Sequence, residues 1–509
     1  MSTTIGMTLR NRAVMSPELE AVVTAEVRWT YREFNERVNR LAHFLLECGI
    51  RKGDRVALLC LTDHPFATIF MATAKIGAIA VPLNYRLQPA ELEGIVGDSK
   101  PKILFYDGEF SDQVKGLESI DSLKHLVQVS FGEELHPDYT VIFGKYPVTE
   151  AGVEVLPEDP FCLTYTSGTT GKPKGVITTH ENWFTSSVNT FVPMGFRYGD
   201  RFMIPTPLFH ISGIVILTSL SIVGYTLVLM PRFHPVHVWE LAEKERVTHM
   251  FAVPVMLKFM LPALIESERE VESLREIITG GSLVPVELIQ QYESLGFPLT
   301  VVYGASEFSG LATFWNQGMG EEKRGSVGKI LIGEIKIIDP ESGEELPAGE
   351  IGEVLLKGPQ MFKGYWNNPE ETRKVIRDGW YHTGDAGKLD RDRFLHVVDR
   401  YKDVIHVSGE KVFPVQVEAV IGEIKGVSEV AVVAVKDRMW GELSRGYVVK
   451  QADVNLTEEE VLQYTHSKLA RYKLSEVVFV DELPKNSVGK VLKYRLREQA
   501  DAEKGISAS

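Results

Sequence analysis

The stretch Thr164-Tyr165-Thr166-Ser167-Gly168-Thr169-Thr170-Gly171-Lys172-Pro173-Lys174-Gly175 lies between two apolar runs, 161–163 and 176–177. Glycines without a Cβ let successive backbone N–H groups turn toward a ligand. The hydroxyls and two lysines add donors suited to phosphate oxygens. The spacing G-x-x-x-x-G-K-[ST] is absent, so this is not a Walker A loop. On the residues alone, two readings stand side by side: a phosphate-cradling loop, or a solvated hairpin loop.

Outward from this stretch, helix and strand patterns alternate. Thr30 and Glu33 have capping-box spacing. Phe34, Val38, Leu41 and Leu45 follow at helical intervals, with Gly49 as the stop and 55–60 as a short buried strand. Such helix-then-strand units recur through the first two-thirds, which predicts layered α/β architecture. Residues 211–230 carry no formal charge and approach the length of a membrane span. Their serines, threonines and glycines favour a buried helix ended by Gly224, then a strand over 225–230. The turn-rich segment 325–364 holds short alternating runs, 334–338 and 353–357, that predict β-hairpins. Beyond the charged connection Asp399-Arg400-Tyr401-Lys402-Asp403 comes a compact pattern: a strand over 427–435 and a helix opened by Thr457 and Glu460. The domain boundary is placed at Lys402, giving 1–401 and 402–509.

The 509 residues carry a formal net charge of -14, with 44% apolar and 24% charged side chains. That is ordinary for a globular chain with a full core. No basic stripe is present, which argues against nucleic-acid binding. Three cysteines, Cys48, Cys60 and Cys162, form no CxxC pair and sit among apolar residues. They predict buried thiols in a reducing cytoplasm. The first residues lack the apolar core of a signal peptide.

Further motifs follow the glycine-rich stretch in a fixed order. They are Pro207-Leu208-Phe209-His210, Gly280-Gly281-Ser282, Tyr303-Gly304-Ala305-Ser306-Glu307, Tyr381-His382-Thr383-Gly384-Asp385, 399–403, and Pro484-Lys485-Asn486-Ser487-Val488-Gly489-Lys490. This ordered set resembles the adenylate-forming superfamily, most nearly its bacterial fatty-acyl-CoA synthetases, over almost the whole chain. The resemblance implies an α/β fold: a large N-terminal domain of layered α/β subdomains with a small β-barrel-like part, and a small mobile α+β C-terminal domain. It implies that a carboxylic acid and ATP, with Mg²⁺, give acyl-AMP, which coenzyme A then takes as a thioester.

The same resemblance distributes roles. Thr166, Ser167, Gly168, Thr169, Thr170, Gly171 and Lys174 would hold phosphates, with Ser282, Gly304 and Ser306 beside the nucleotide. Ser306 replaces the more frequent threonine and keeps its hydroxyl. Gly280, Gly281 and Tyr303 would shape the adenine slot. Glu307 and Thr166 would meet the metal, Asp385 the ribose, and Arg400 the nucleotide near the hinge Lys402. Lys490 is the expected catalytic lysine, a long ammonium able to contact carboxylate and α-phosphate together. His210, Gly213, Ala305 and Phe308 would border the acyl pocket. Ser408, Gly409 and Glu410 would line the path of the CoA thiol, although Ser408 stands where many relatives have glycine. A substrate carboxylate is already ionised near neutral pH, so His210 is given no general-base role. The apolar segments 211–216 and 308–311 predict a medium- or long-chain fatty acid. An aryl acid, a carrier protein in place of CoA, and a homodimer stay open.

Overall fold

The computed structural model describes residues 3–131, 134–167, 173–267, 271–400, 403–407, 410–437, 441–452, 454–485, 489 and 491–503. Its contacts gather the chain into two units, Met1–Ile335 with Leu356–His382, and Lys336–Leu355 with Thr383–Ser509. Lys402 lies outside the described residues.

The larger unit is built on two mostly parallel sheets. In the eight-stranded sheet, Ile79–Pro82, Arg55–Leu59, Ile103–Asp107 and His125–Phe131 run parallel. The nine-stranded sheet has a parallel centre of Glu20–Val23, Thr226–Leu229, Arg201–Ile204, His249–Phe251, Glu276–Gly280 and Leu299–Ala305. Parallel strands need long crossovers, and here helices supply them.

Local chemistry sets those helices as the sequence predicts. Helix Tyr31–Glu47 opens with a full capping box: Glu33 N–H donates to Thr30 Oγ1 at 3.2 Å, and Thr30 N–H donates to Glu33 Oε2 at 2.8 Å. Its Phe34, Val38, Leu41 and Leu45 are all buried. Helix Ile211–Val223 ends at Gly224, whose φ of 87° is the left-handed conformation a side chain would resist. Strand Thr226–Leu229 follows at once. Among the described residues no helix is long and apolar enough to cross a membrane.

One buried cluster joins the sheets to the helices: Val56, Phe105 and Phe161 from one sheet, Phe202, Leu227 and Ile278 from the other, with Phe34, Trp183 and Leu217 from the helices. Such a cluster braces the loops at the strand ends. Cys60 and Cys162 are buried within it, whereas Cys48 is only half-buried, beside the C-terminus of helix Tyr31–Glu47.

A small five-stranded sheet includes Glu334–Ile338, Gly352–Lys357, Trp380–Leu389 and Leu395–Arg400. Strands Val427–Asp437 and Gly441–Lys450 pair antiparallel and lead the last sheet, joined by Ile405–Val407, Glu410–Val412 and Glu476–Phe479. Helix Glu458–Lys468 carries the predicted Thr457–Glu460 capping box. Val417, Ile421, Val432 and Val448 are buried together in this unit's core.

Candidate active site

The glycine-rich stretch is the tip of a β-hairpin. Strands Pro160–Ser167 and Pro173–Thr179 pair antiparallel, with Thr166 opposite Lys174 and Ser167 opposite Pro173. Gly168, Thr169, Thr170 and Gly171 lie outside the described residues, as does the side chain of Ser167. The stem is tightly held. A Cβ on Gly175 would come within 2.8 Å of Leu163 Cδ1 and 3.1 Å of Trp366 Cβ. Trp366 N–H donates to Gly175 O at 2.7 Å, and the Tyr165 hydroxyl donates to Asp98 Oδ2 at 2.6 Å.

Lys174 is already engaged. Its ammonium pairs with Glu371 and sits 5.4 Å from the Tyr365 ring centroid. Lys174, then Lys374, holds the Glu371 carboxyl down to about 2. A phosphate at this lysine therefore competes with a resident carboxylate. Glu371 lies on helix Pro369–Val375, 197 residues away along the chain, so local patterning gave no sign of the pair.

The second group forms at the carboxyl ends of adjacent parallel strands. Glu276–Gly280 pairs with Leu299–Ala305, Gly280 opposite Val302. A Cβ at Gly280 would lie 2.3 Å from Val302 O, so this glycine is required by strand packing itself. Gly281 has φ 84°, and an added Cβ would meet only Val253, at 3.9 Å; it leaves the open space expected of a nucleotide slot. Ser282 is exposed next to it. At Gly304 a Cβ would strike Gly310 O at 1.9 Å, beside the irregularity that bends the strand between Tyr303 and Gly304. The chain then tightens into the 3₁₀ turn Ser306–Phe308, which presents Glu307 half-buried.

Two partners fix Glu307. Tyr365 Oη donates to its Oε1 at 2.7 Å, and Phe362 N–H donates to its carbonyl at 2.9 Å. The turn ends at Ser309, a buried non-glycine residue with φ 52°. Such a conformation costs on the order of 1–3 kcal/mol and persists only where the surroundings hold it. Here Ser186 Oγ donates to Ser309 O at 2.7 Å, and Ser309 Oγ donates to Gln360 O at 2.7 Å. Local sequence patterning does not mark Tyr365, Ser186 or Ser309; the one signal is the Ser309-Gly310 pair right after the motif.

The third group surrounds the expected acyl pocket. His210 caps helix Ile211–Val223. Its buried Nε2 has no hydrogen-bond partner among the described residues, and burial, with Arg86, pushes its pKa down to about 3. The imidazole is therefore neutral near pH 7, in keeping with a wall residue. Its ring lies 4.3 Å from Phe209, which meets Tyr85 edge-on at 5.0 Å. Gly213 lets the helix start against the preceding loop, since a Cβ there would lie 2.5 Å from Leu208 Cα. A Cβ on Gly310 would meet Val215 and Ser186 at 3.4 and 3.5 Å, so two helices and a strand converge here. Ala305 is half-buried, and Phe308 is fully buried with its ring tip near Gly358.

In the smaller unit, Asp385 and Arg400 face each other across two strands, as Cα partners in the antiparallel pairing of Trp380–Leu389 with Leu395–Arg400. Asp385 is buried, and its N–H donates to Thr383 Oγ1 at 3.0 Å. Gly384 turns the chain with φ 68° and donates its N–H to Glu353 Oε1 at 3.1 Å. Glu410 opens strand Glu410–Val412 opposite Val407. The side chains of Arg400 and Glu410, and all of Ser408, Gly409 and Lys490, lie outside the described residues.

The family described as AMP-binding enzyme matches residues 9–366, and the AMP-binding enzyme C-terminal domain matches 416–490. The chain belongs to the AMP-binding enzyme family. It is similar to the long-chain-fatty-acid–CoA ligase FadD13 of Mycobacterium tuberculosis, 37% identical over 502 residues that cover 98% of this chain and 99% of the relative. A feruloyl-CoA synthase of Amycolatopsis sp is 36% identical over 492 residues, 96% and 97% of the two chains. The solved o-succinylbenzoate CoA synthetase of Bacillus subtilis, in complex with its acyl-adenylate intermediate, superposes with TM-score 0.87 at 31% identity and 98% coverage of each chain. This AMP-binding enzyme is thus an acyl-CoA synthetase of the adenylate-forming superfamily, an AMP-forming acid–thiol ligase whose substrates include ATP and CoA.

Proposed function

We propose that the chain activates a medium- or long-chain fatty acid. The acid's carboxylate attacks the α-phosphorus of ATP, giving acyl-AMP and pyrophosphate. The CoA thiol then attacks the mixed anhydride, giving acyl-CoA and AMP, and its proton leaves to solvent. The observation that carries this reading is the wall where helix Ile211–Val223 meets strand Gly310–Trp315. Val215 and Phe209 are buried there, Leu311 is half-buried, and neither 211–216 nor 308–311 holds a charged side chain. An acyl chain seated against these apolar residues would gain about 0.8 kcal/mol per buried methylene. The relative named for long-chain fatty acids agrees.

In this reading Lys174 and the glycine-rich loop, Ser167 to Gly171, hold phosphates, and Gly281 and Tyr303 flank the adenine. Asp385 accepts the ribose hydroxyls, and Arg400 meets the nucleotide. Lys490 steadies the carboxylate and α-phosphate together. Ser408, Gly409 and Glu410 border the thiol's path, and a rotation about Lys402 exchanges the two half-reactions. Mg²⁺ fits the donors present: Glu307 Oε1 is taken by Tyr365, no described group donates to Oε2, and Thr166 offers a hydroxyl. When bound, the ion would neutralise phosphate charge. A cytoplasmic location suits three unpaired thiols.

A second reading, an aryl acid, rests on the Tyr85–Phe209–His210 rings, which could stack against an aromatic substrate, and on the feruloyl-CoA synthase relative. The test is to incubate enzyme, MgATP and CoA with decanoate, acetate or ferulate, and to follow pyrophosphate release and thioester mass. Decanoyl-CoA as the main product supports the proposal. Feruloyl-CoA as the main product moves the assignment to the aryl reading, and pyrophosphate release that ignores CoA removes the second step.

A further inference from the structure

Outside the candidate active site, a second cluster of potential ligands has no role in the chemistry above. Glu26, Asp63 and His64 each offer one ligand atom, a carboxylate oxygen or a ring nitrogen, all within 4.8 Å of one another. Two of them stand on a stiff support. Asp63 is the N-cap of helix His64–Lys75 and accepts the His64 N–H at 2.7 Å through Oδ1. Pro65 sets the backbone in that first turn. Glu26 comes from the tight turn between strands Glu20–Val23 and Arg28–Thr30, where Thr24 Oγ1 accepts the Glu26 N–H at 3.1 Å and Thr24 N–H bonds to Val27 O at 2.9 Å.

An independent observation concerns His64. Its side chain is only 2% exposed, and its buried Nδ1 has no hydrogen-bond partner among the described residues. Trp29 meets the ring edge-on at 4.8 Å and offers it no acceptor. Buried imidazole nitrogens are nearly always paired, because an unpaired one forfeits its hydration. Among the described residues, the carboxylates of Glu26 and Asp63 form no ion pair. Arg37 is the cation that acts on His64, yet its guanidinium lies over the rings of Phe143 and Trp29, at 3.3 and 4.5 Å. Among the described residues it forms no ion pair with Glu26 or Asp63. Asp107, a further acid near Asp63, is bonded to Leu61 N–H and Ser130 Oγ and adds negative potential.

We propose that Glu26, Asp63 and His64 form a binding site for a divalent cation of the zinc class. One nitrogen and two oxygen donors suit a borderline ion of this kind, whereas an all-oxygen set would suit Mg²⁺ or Ca²⁺. The open side at exposed Glu26 leaves room for water to complete the shell. The site has a structural consequence. Thr62, next to Asp63, accepts the Leu208 N–H at 3.1 Å through Oγ1, so an ion here would pin the turn that supports the Pro207-Leu208-Phe209-His210 wall.

The experiment is titration of the whole purified enzyme, stripped by chelator, with Zn²⁺ by calorimetry. ATP is left out and Mg²⁺ held in excess, to occupy the oxygen-rich site at Glu307. Co²⁺ in place of Zn²⁺ gives a visible spectrum that reports nitrogen ligation. Wild type and Glu307→Gln should each take up one equivalent of Zn²⁺. Glu26→Gln, an exposed change that leaves the fold intact, and His64→Gln should each bind at least about tenfold more weakly. Zinc should raise the melting temperature of wild type and not of Glu26→Gln. No uptake by wild type, or equal uptake by wild type and Glu26→Gln, would overturn the proposal.

Discussion

The Tyr365 hydroxyl donates to Glu307 Oε1 at 2.7 Å across 58 residues of chain. This bond leaves Glu307 Oε2 without a donor among the described residues, and it fixes which way the carboxylate turns. A group that orients a ligand in this way typically contributes about 10- to 100-fold in metal affinity or activity. Tyr365→Phe should therefore raise the Mg²⁺ concentration for half-maximal adenylation by about tenfold, with a smaller change in kcat. Glu307→Gln should cost more, since a neutral amide is a poor partner for a hard dication. Unchanged Mg²⁺ dependence in both variants would remove Glu307 from the metal site.

Asp385 sits opposite Arg400 in the strand pairing and is nearly buried. Asp385→Ala should raise the KM for ATP and lower kcat as well, because ribose contacts also place the α-phosphate. Steady-state kinetics with varied ATP decides this. Near-wild-type values, with the circular dichroism spectrum preserved, would exclude Asp385 from nucleotide binding.

The proposed role of Lys490 is in adenylation alone. Removing one such electrostatic contact costs about a hundredfold or more in rate. Lys490→Ala should lose most formation of acyl-AMP from acid and ATP. Supplied with pre-made acyl-adenylate and CoA, it should still form thioester at close to the wild-type rate. Equal failure in both single-turnover assays would show that the lysine is structural or serves throughout.

Acid lability should be traceable to buried histidines. His180 is fully buried, its Nδ1 accepts the Ile5 N–H at 3.3 Å, and its ring stacks on Phe161 at 4.6 Å. Burial pushes its pKa from 6.5 down to about 3. The unfolded chain therefore binds this proton first as pH falls. The neutral ring's contribution is whole above pH 6.5 and is lost as pH falls from there toward 3. His180→Gln removes this titration, so its melting temperature, lower at pH 7.5, should fall less steeply than wild type's between pH 6.5 and 4.5. Parallel curves would contradict the assignment.

The sequence was most legible where local chemistry decides the structure. The Thr30–Glu33 and Thr457–Glu460 caps, the Gly224 stop and the strand after it follow from residue spacing alone, and each is present. Long-range partnerships were less legible. Nothing near Lys174 points to Glu371, and nothing near Glu307 points to Tyr365, because folding brings those pairs together from segments some 197 and 58 residues apart. Gly280 shows a related limit. The motif marks it as a nucleotide residue, yet the close approach of Val302 O already demands glycine there. A motif residue can thus be required by packing and by a ligand at once, and only the folded structure separates the two demands.

If the apolar residues around Val215 and Leu311 select an alkyl chain, kcat/KM across three acids will show it. Acetate, decanoate and ferulate are compared at saturating MgATP and CoA. With about 0.8 kcal/mol per buried methylene, several buried methylenes give a preference of several orders of magnitude until the pocket is full. Decanoate should show kcat/KM at least about a hundredfold above acetate, and above ferulate. Equal values for decanoate and acetate, or ferulate above decanoate, would contradict it.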